Sequence, residues 1–181
     1  ALILQDDRLL LVNAYPGGRS DLWCAPGGGA ESGSSLPENL AREVHEETGL
    51  TVAVGACLAL KRKKSTSLVY NLLSDGELGE GSTWEAAMSA AHWKLDNLIA
   101  IVDVMNQQAD GPSMNVLSSE PVDEKFRAFG WFAQRVDGND MNALVKAFDL
   151  ARHHAAPVPR VLVCDTLMGK GIPFLEAREK N

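Results

Sequence analysis

Apolar and polar positions follow two different patterns along the chain. From residue 67 onward, short apolar runs typical of buried parallel strands are separated by segments with helical spacing. The predicted strands span residues 68–73, 98–102, 131–136 and 160–164. The predicted helices span residues 84–95, 122–129 and 141–153. This alternation predicts an α/β fold with a mostly parallel sheet and crossover helices.

The first 65 residues have shorter elements and more glycine. Residues 1–4 and 8–12 predict a hairpin, and Trp23 lies in a short strand between loops rich in glycine and proline. A helix is predicted over residues 35–48, with Gly49 as its stop. Residues 51–60 predict a further strand. The four basic residues that follow are interpreted as a solvated strand end or as a phosphate contact.

Composition and charge narrow the classes of function. The chain is 45% hydrophobic and 23% charged, as expected of a globular protein. Its net charge of -7 argues against binding to nucleic acid or to an anionic membrane. Three cysteines far apart suggest neither a metal cage nor a disulfide framework, and no apolar run approaches the roughly 18 residues of a membrane span. A cytoplasmic location is predicted.

Three carboxylates recur at helical spacing in the predicted helix. Glu43, Glu46 and Glu47 are three and four residues apart, which places them on one helix face. Their mutual repulsion would be relieved by a divalent cation such as Mg²⁺, which could also bridge to a diphosphate. A solvated acidic face is the alternative interpretation.

The surroundings of these carboxylates resemble the Nudix box. Gly28 and residues 42–50 stand at the offsets of that motif, so residues 1–65 resemble the front half of a Nudix hydrolase, with Ser34 in place of an early glutamate. The resemblance implies that Glu43, Glu46 and Glu47 are the catalytic metal ligands for Mg²⁺ or Mn²⁺. Gly28 belongs to the loop leading into the metal helix. Trp23 either stacks on a nucleotide base or packs in the core.

A second set of polar residues follows the predicted parallel strands. Asp75 and Gly76 come directly after the strand at 68–73, and Asn106 follows the next strand along the chain. The carboxyl ends of neighbouring parallel strands are where open α/β folds collect ligands. One residue from each strand end could therefore face a shared metal ion.

These residues lie within a resemblance to transketolase that covers residues 67–181. It is carried by residues 75–78, 84–88, 94–99, 108–111, 129–131, 136–140 and 168–171. It implies that Asp75 and an asparagine hold the Mg²⁺ that anchors thiamine diphosphate, with Gly76 and Glu80 beside the cofactor. Counting along the segments places Met105 at the asparagine position and Asn106 one residue later. A thioether is a poor ligand for Mg²⁺.

The chain is therefore expected to be a composite of two incomplete domains, residues 1–65 and 66–181. A partial Nudix-like sheet and box helix would join a mostly parallel, transketolase-like α/β sheet. We hypothesise that residues 68–73 belong to the parallel sheet and that the Nudix-like piece packs against it.

The expected main function is Mg²⁺-dependent, Nudix-type hydrolysis of a nucleoside diphosphate linked to another group, with a small nucleotide as substrate. Thiamine chemistry would need a glutamate that the transketolase family carries on another domain. The alternatives are a thiamine-diphosphate-binding part of a transketolase that needs a partner domain, a non-catalytic scaffold and an accidental fusion. The expected protein partner is a second copy in a homodimer or a complementary transketolase domain.

Overall fold

A computed structural model of the protein describes residues 49–108 and 110–178, together with the backbone of four short strands before residue 25. The four strands are β1 (Leu2–Gln5), β2 (Arg8–Leu9), β3 (Val12–Asn13) and β4 (Trp23–Cys24). The later strands are β5 (Val69–Ser74), β6 (Leu98–Val104), β7 (Gln107–Gln108), β8 (Gly111–Pro112), β9 (Phe132–Asp137) and β10 (Arg160–Asp165). The helices are α1 (Gly49–Arg62), α2 (Gly81–His92), α3 (Ser113–Val116), α4 (Val122–Ala128), α5 (Met141–Arg152) and α6 (Pro173–Arg178), with a 3₁₀ turn at Glu77–Gly79.

Six strands form one sheet in the order β2-β1-β5-β6-β10-β9. Strands β5, β6, β10 and β9 are mutually parallel, whereas β1 runs antiparallel to β5 and pairs with β2 as a hairpin. The predicted parallel strands, the helices between them and the first hairpin are confirmed. The strand predicted at 68–73 does belong to the parallel sheet, and the N-terminal hairpin adds to its edge.

Two hydrophobic layers cover the faces of this sheet. On one face, α1, α2 and α4 bury their apolar sides against the strands, with Phe126 fully buried at the centre. The rings of Trp84 and Phe126 lie 5.4 Å apart, and Trp131 donates a 2.9 Å hydrogen bond from Nε1 to the carbonyl of Ala87. On the opposite face, Ala147 and Ala151 of α5 pack in a smaller cluster. Helices on both faces therefore hold the sheet, and with it the carboxyl ends of its strands, in a fixed position.

Helix α1 corrects the prediction made for residues 51–60. That segment is helical rather than extended and lies within α1. The helix predicted over residues 35–48 lies outside the described residues. The apolar residues Leu50, Ala53, Val54 and Cys57 recur at intervals of three and four and are all buried. The prediction was wrong because the local alternation around the valines also fits a strand, and packing against β5 and α2 selects the helix.

The basic run at residues 61–64 closes α1 rather than a strand. Lys61 and Arg62 lie in its last turn, where positive charge complements the helix dipole. Lys61 forms a 2.6 Å ion pair with Asp96 and donates a 2.9 Å hydrogen bond to the carbonyl of Lys94. In the described part of the chain, no helix is both long and apolar enough to cross a bilayer.

Candidate functional site

The turn that follows β5 is tight and is held by several hydrogen bonds. The backbone N–H of Asp75 donates a 3.1 Å hydrogen bond to the carbonyl of Asp103, so the chain leaves β5 while still joined to β6. The Oε2 atom of Glu77 accepts hydrogen bonds from the backbone N–H and the hydroxyl of Ser74, at 2.7 and 3.1 Å. This local pairing closes the turn on itself.

Two side chains of helix α2 donate hydrogen bonds to the backbone of the same turn. Thr83 donates a 3.0 Å hydrogen bond from its hydroxyl to the carbonyl of Glu77. Trp84 donates a 2.8 Å hydrogen bond from Nε1 to the carbonyl of Leu78. The backbone that carries Asp75 is thus held both by the sheet and by the helix that follows it.

Asp75 is buried, with 2% of its surface exposed. Its Oδ2 atom accepts a 2.9 Å hydrogen bond from the hydroxyl of Ser113, at the start of α3. The backbone N–H of Ser113 donates a 3.0 Å hydrogen bond to the carbonyl of Asn106. The segment after β6 therefore folds back and orients the carboxyl group that ends β5.

These strand ends enclose a cleft of about 330 Å³. It is lined by Ser74, Asp75, Gly76, Glu77, Glu80, Met105, Gln107 and Gln108. Of the described side chains that line it, three are acidic and none is basic. An anionic ligand could therefore enter this cleft only with a cation that offsets the carboxyl groups.

The structure brings most of the residues predicted for the second site together. Asp75, Gly76 and Glu80 all line the cleft, with Glu80 exposed at its rim. Asn106 does not line it: this residue is exposed and has a positive φ of 57°. The side chain beside Asp75 from the next strand end is that of Met105.

Four residues of the cleft region were not selected from the sequence. Glu77, Gln107 and Gln108 follow the carboxyl ends of β5 and β6, so their position after a strand is a signal that could have identified them. Ser113 reaches Asp75 from 38 residues further along the chain, and no local spacing indicates that contact.

The residues predicted for the first site lie outside the described residues. This holds for Glu43, Glu46, Glu47 and Gly28, and only the backbone of Trp23 is described, in β4. Across residues 49–108 and 110–178, no three histidine, cysteine, aspartate or glutamate side chains converge to hold a metal ion. A cation near Asp75 would therefore need oxygen ligands of another kind.

A second cluster of charged side chains lies near the carboxyl ends of β9 and β10, at the other side of the sheet. Arg135 of β9 forms 2.7 Å ion pairs with Asp165 of β10 and with Glu120. The hydrogen bond from Arg135 is the main reason that the pKa of Glu120 is lowered. Those two carboxylates, mainly through their hydrogen bonds, raise the pKa of Arg135. This cluster fixes the loop before α4 to the strand ends.

The buried cysteines do not add a nucleophile to the site. Burial raises the pKa of Cys57 to about 12 and that of Cys164 to about 11. Because the thiolate is the reactive form, both side chains are inert thiols at neutral pH. The chemistry available at this edge is therefore that of carboxyl, hydroxyl and amide oxygens.

The fold and the site define an open α/β protein with an acidic cleft at the carboxyl ends of parallel strands. Residues 49–181 match the transketolase thiamine diphosphate binding domain, and residues 1–95 match the NUDIX domain. The chain therefore belongs to the transketolase family and is a composite that also carries a NUDIX match.

Individual relatives agree with the transketolase match. The chain is 68% identical over 133 residues to a transketolase family protein of Sinorhizobium fredii, covering 74% of this chain and 48% of the relative. It is 42% identical over 130 residues to an apulose-4-phosphate transketolase subunit of Actinobacillus succinogenes, covering 72% and 46%. The transketolase structure from Campylobacter jejuni is similar with a TM-score of 0.60 and 29% identity, covering 66% of this chain and 20% of that one.

These relatives correct the function expected from the sequence. Nudix-type hydrolysis as the main activity is wrong, because the relatives with high identity are transketolase family proteins and subunits. The alternative weighed beside it, a thiamine-diphosphate-binding part of a transketolase, agrees better with them. The chain spans about half the length of the Sinorhizobium and Actinobacillus relatives.

Proposed function

We propose that residues 49–181 bind thiamine diphosphate and serve as the cofactor-binding part of a transketolase. The observation that carries this proposal is the buried, hydrogen-bonded carboxyl group of Asp75 at the paired ends of two parallel strands. The match of the same residues to the family's thiamine diphosphate binding domain supports it.

The charge of the cleft fits a diphosphate that is bridged by a divalent cation. A diphosphate alone would meet three acidic side chains and no basic one, whereas Mg²⁺ would neutralise both partners. Asp75 would be the carboxylate ligand, and Ser113 would keep one of its oxygens oriented. When bound, thiamine diphosphate supplies the stabilised carbanion on which ketol transfer depends.

The protein's own contribution at this site is positioning. The hydrogen bonds from Thr83 and Trp84 hold the turn that follows Asp75, so little of the loop has to order when a ligand binds. Glu80 is exposed and lines the cleft, which supports a role as a hydrogen-bond acceptor for a cofactor or a partner. Rigid support of this kind would favour affinity by lowering the ordering cost.

We also propose that catalysis requires a complementary transketolase chain. Two relatives carry the word subunit in their names, the apulose-4-phosphate enzyme and the 6-deoxy-6-sulfo-D-fructose transketolase of a Clostridium strain. This chain covers 46% and 47% of the lengths of these relatives, and their description as subunits supports the proposal. A homodimer is the competing arrangement, and analytical ultracentrifugation with and without the second chain separates the two.

Calorimetric titration with thiamine diphosphate in millimolar Mg²⁺ tests cofactor binding. Saturable heat is expected for the wild-type chain, and Asp75→Asn should weaken binding by about tenfold or more because the ligand at this position loses its negative charge. Glu85→Gln, which makes the same chemical change on the exposed face of α2, should bind like the wild type. Equal binding by Asp75→Asn and Glu85→Gln would refute the assignment of Asp75.

A further inference from the structure

Met105 contributes a thioether side chain to the lining of the acidic cleft. It is the first residue after β6, is partly buried and lines the cleft together with Asp75. Strands β5 and β6 are neighbours, with Ser74 opposite Asp103, so their carboxyl ends face the same space. Met105 therefore stands where a second oxygen ligand from the sheet could reach an ion held by Asp75.

Gln107 and Gln108 line the cleft with amide side chains, but several oxygens near Asp75 already accept hydrogen bonds. Asp75 shares Oδ2 with the hydroxyl of Ser113, and the carbonyl of Asn106 accepts from the backbone N–H of the same serine. Among the described residues, acidic side chains do not converge in threes on one point. A cation here would therefore depend strongly on each oxygen that the strand ends offer.

The thioether of Met105 is a soft ligand, whereas Mg²⁺ and Mn²⁺ prefer oxygen. A diphosphate needs that cation most in a cleft with three acidic side chains and no basic one. Metal affinity and diphosphate affinity are thus linked, since each ligand reduces the charge repulsion that the other meets.

On the basis of the proposed function, we infer that Met105 sets the metal affinity of this cleft and keeps it low. Cofactor binding by the chain is consequently limited by the concentration of the divalent cation. An oxygen-bearing side chain at position 105 would remove that limit, and the gain would be visible without any catalytic assay.

Binding of Mn²⁺ measured by electron paramagnetic resonance, with and without thiamine diphosphate, tests this inference on the full chain. Met105→Asn and Met105→Asp supply an oxygen, whereas Met105→Leu keeps the size and lacks one. With cofactor present, both oxygen variants should bind Mn²⁺ about tenfold or more tightly than the wild type. Met105→Leu should match the wild type, and adding Asp75→Asn to Met105→Asn should abolish the gain.

The outcomes separate the inference from the function on which it rests. If the wild type and Met105→Leu bind Mn²⁺ and cofactor as tightly as folded Met105→Asn and Met105→Asp, cofactor binding stands and the role of Met105 is refuted. If no variant with a native circular dichroism spectrum holds thiamine diphosphate even in millimolar Mn²⁺, both the function and the inference are overturned.

Discussion

The hydroxyl of Ser113 lies 2.9 Å from Oδ2 of Asp75 and donates a hydrogen bond to it, joining the end of β5 to a helix that begins after β8. Both residues are buried, with 7% and 2% of their surfaces exposed. The contact makes the segment after β6 a structural support for the carboxyl group of the cleft.

Replacing Ser113 by Ala should weaken this support. The buried carboxyl group would lose a hydrogen-bond donor, which costs about 1–3 kcal/mol in the free energy of unfolding. Ser113→Thr keeps the hydroxyl and should restore both stability and cofactor affinity, while Ser89→Ala on the exposed face of α2 serves as the control. Thermal melting and calorimetry with thiamine diphosphate measure the two effects, and a Ser113→Ala chain as stable as Ser89→Ala would contradict the prediction.

Asn71 should be a source of instability in β5. Its side chain is fully buried, and within the described part of the chain neither its amide nitrogen nor its oxygen has a hydrogen-bond partner. Asn71→Val removes this unpaired group and suits a strand, so we expect about 1–2 kcal/mol of added stability.

The melting temperature measures this gain, at about 2–4 °C for each kcal/mol in a chain of this size. Leu72→Val, on the half-exposed opposite face of the same strand, should change it little. A lower melting temperature for Asn71→Val would mean that the amide is paired in solution.

The ion-pair cluster around Arg135 predicts a pH dependence of stability. The pKa of Glu120 is lowered, mainly by the hydrogen bond from Arg135. For Asp123 burial alone would raise the pKa, but the hydrogen bond and charge of Arg127 and the charge of Arg135 outweigh it, so its pKa is also lowered. Because the pKa of each carboxyl group is lower in the folded protein, the two groups stabilise the fold at pH values above their usual pKa values of 4.5 and 3.8. This stabilisation is lost as the pH falls below those values.

Arg135→Gln should therefore lower the free energy of unfolding by about 1 kcal/mol at pH 7, the value being modest because the cluster is partly exposed. The difference from the wild type should shrink as the pH falls below about 4. Urea unfolding across this range measures it, and Lys146→Gln on the exposed face of α5 controls for the loss of one positive charge. A difference that does not vary with pH would rule out this account.

Two glycines should respond to alanine in opposite directions. A Cβ on Gly138 would lie 2.5 Å from Cγ2 of Thr166 and 3.1 Å from the backbone oxygen of Asp165, so Gly138→Ala should cost about 1–3 kcal/mol or more. Gly55 lies within α1, and a Cβ there meets no atom of the described residues within 4 Å. Gly55→Ala should stabilise the protein by about 0.5–1 kcal/mol. Chemical unfolding of both variants checks the signs, and a destabilised Gly55→Ala would show that the outer face of α1 is covered.

The parallel sheet could be predicted from the sequence because most of its strands are largely apolar runs. Such runs require burial on both faces, and the polar residues just after them mark the edge where ligands gather. This argument selected Asp75, which lines the cleft. The structure of α1 was not, since its valines satisfy a strand pattern locally and only contact with β5 and α2 decides between the two forms.

The support around Asp75 could not be predicted in the same way. Ser113 is brought to it by the return of the chain after β6, a path that depends on the small β7–β8 ribbon and has no spacing signal. The relative places of Met105 and Asn106 depend on the backbone after β6, where Asn106 adopts a positive φ. A single residue of register at that point decides which of the two side chains lines the cleft.

The antiparallel pairing of β1 with β5 bears on how the chain behaves at high concentration. In a shortened form beginning at residue 49, β5 would become an edge strand of the sheet. Its unpaired backbone N–H and C=O groups could then pair with a strand of another molecule. We expect that form to self-associate and precipitate more readily than the whole chain. In the whole chain, the hairpin would cover this edge of β5 and protect it from aggregation. That role requires no catalytic activity of the N-terminal segment.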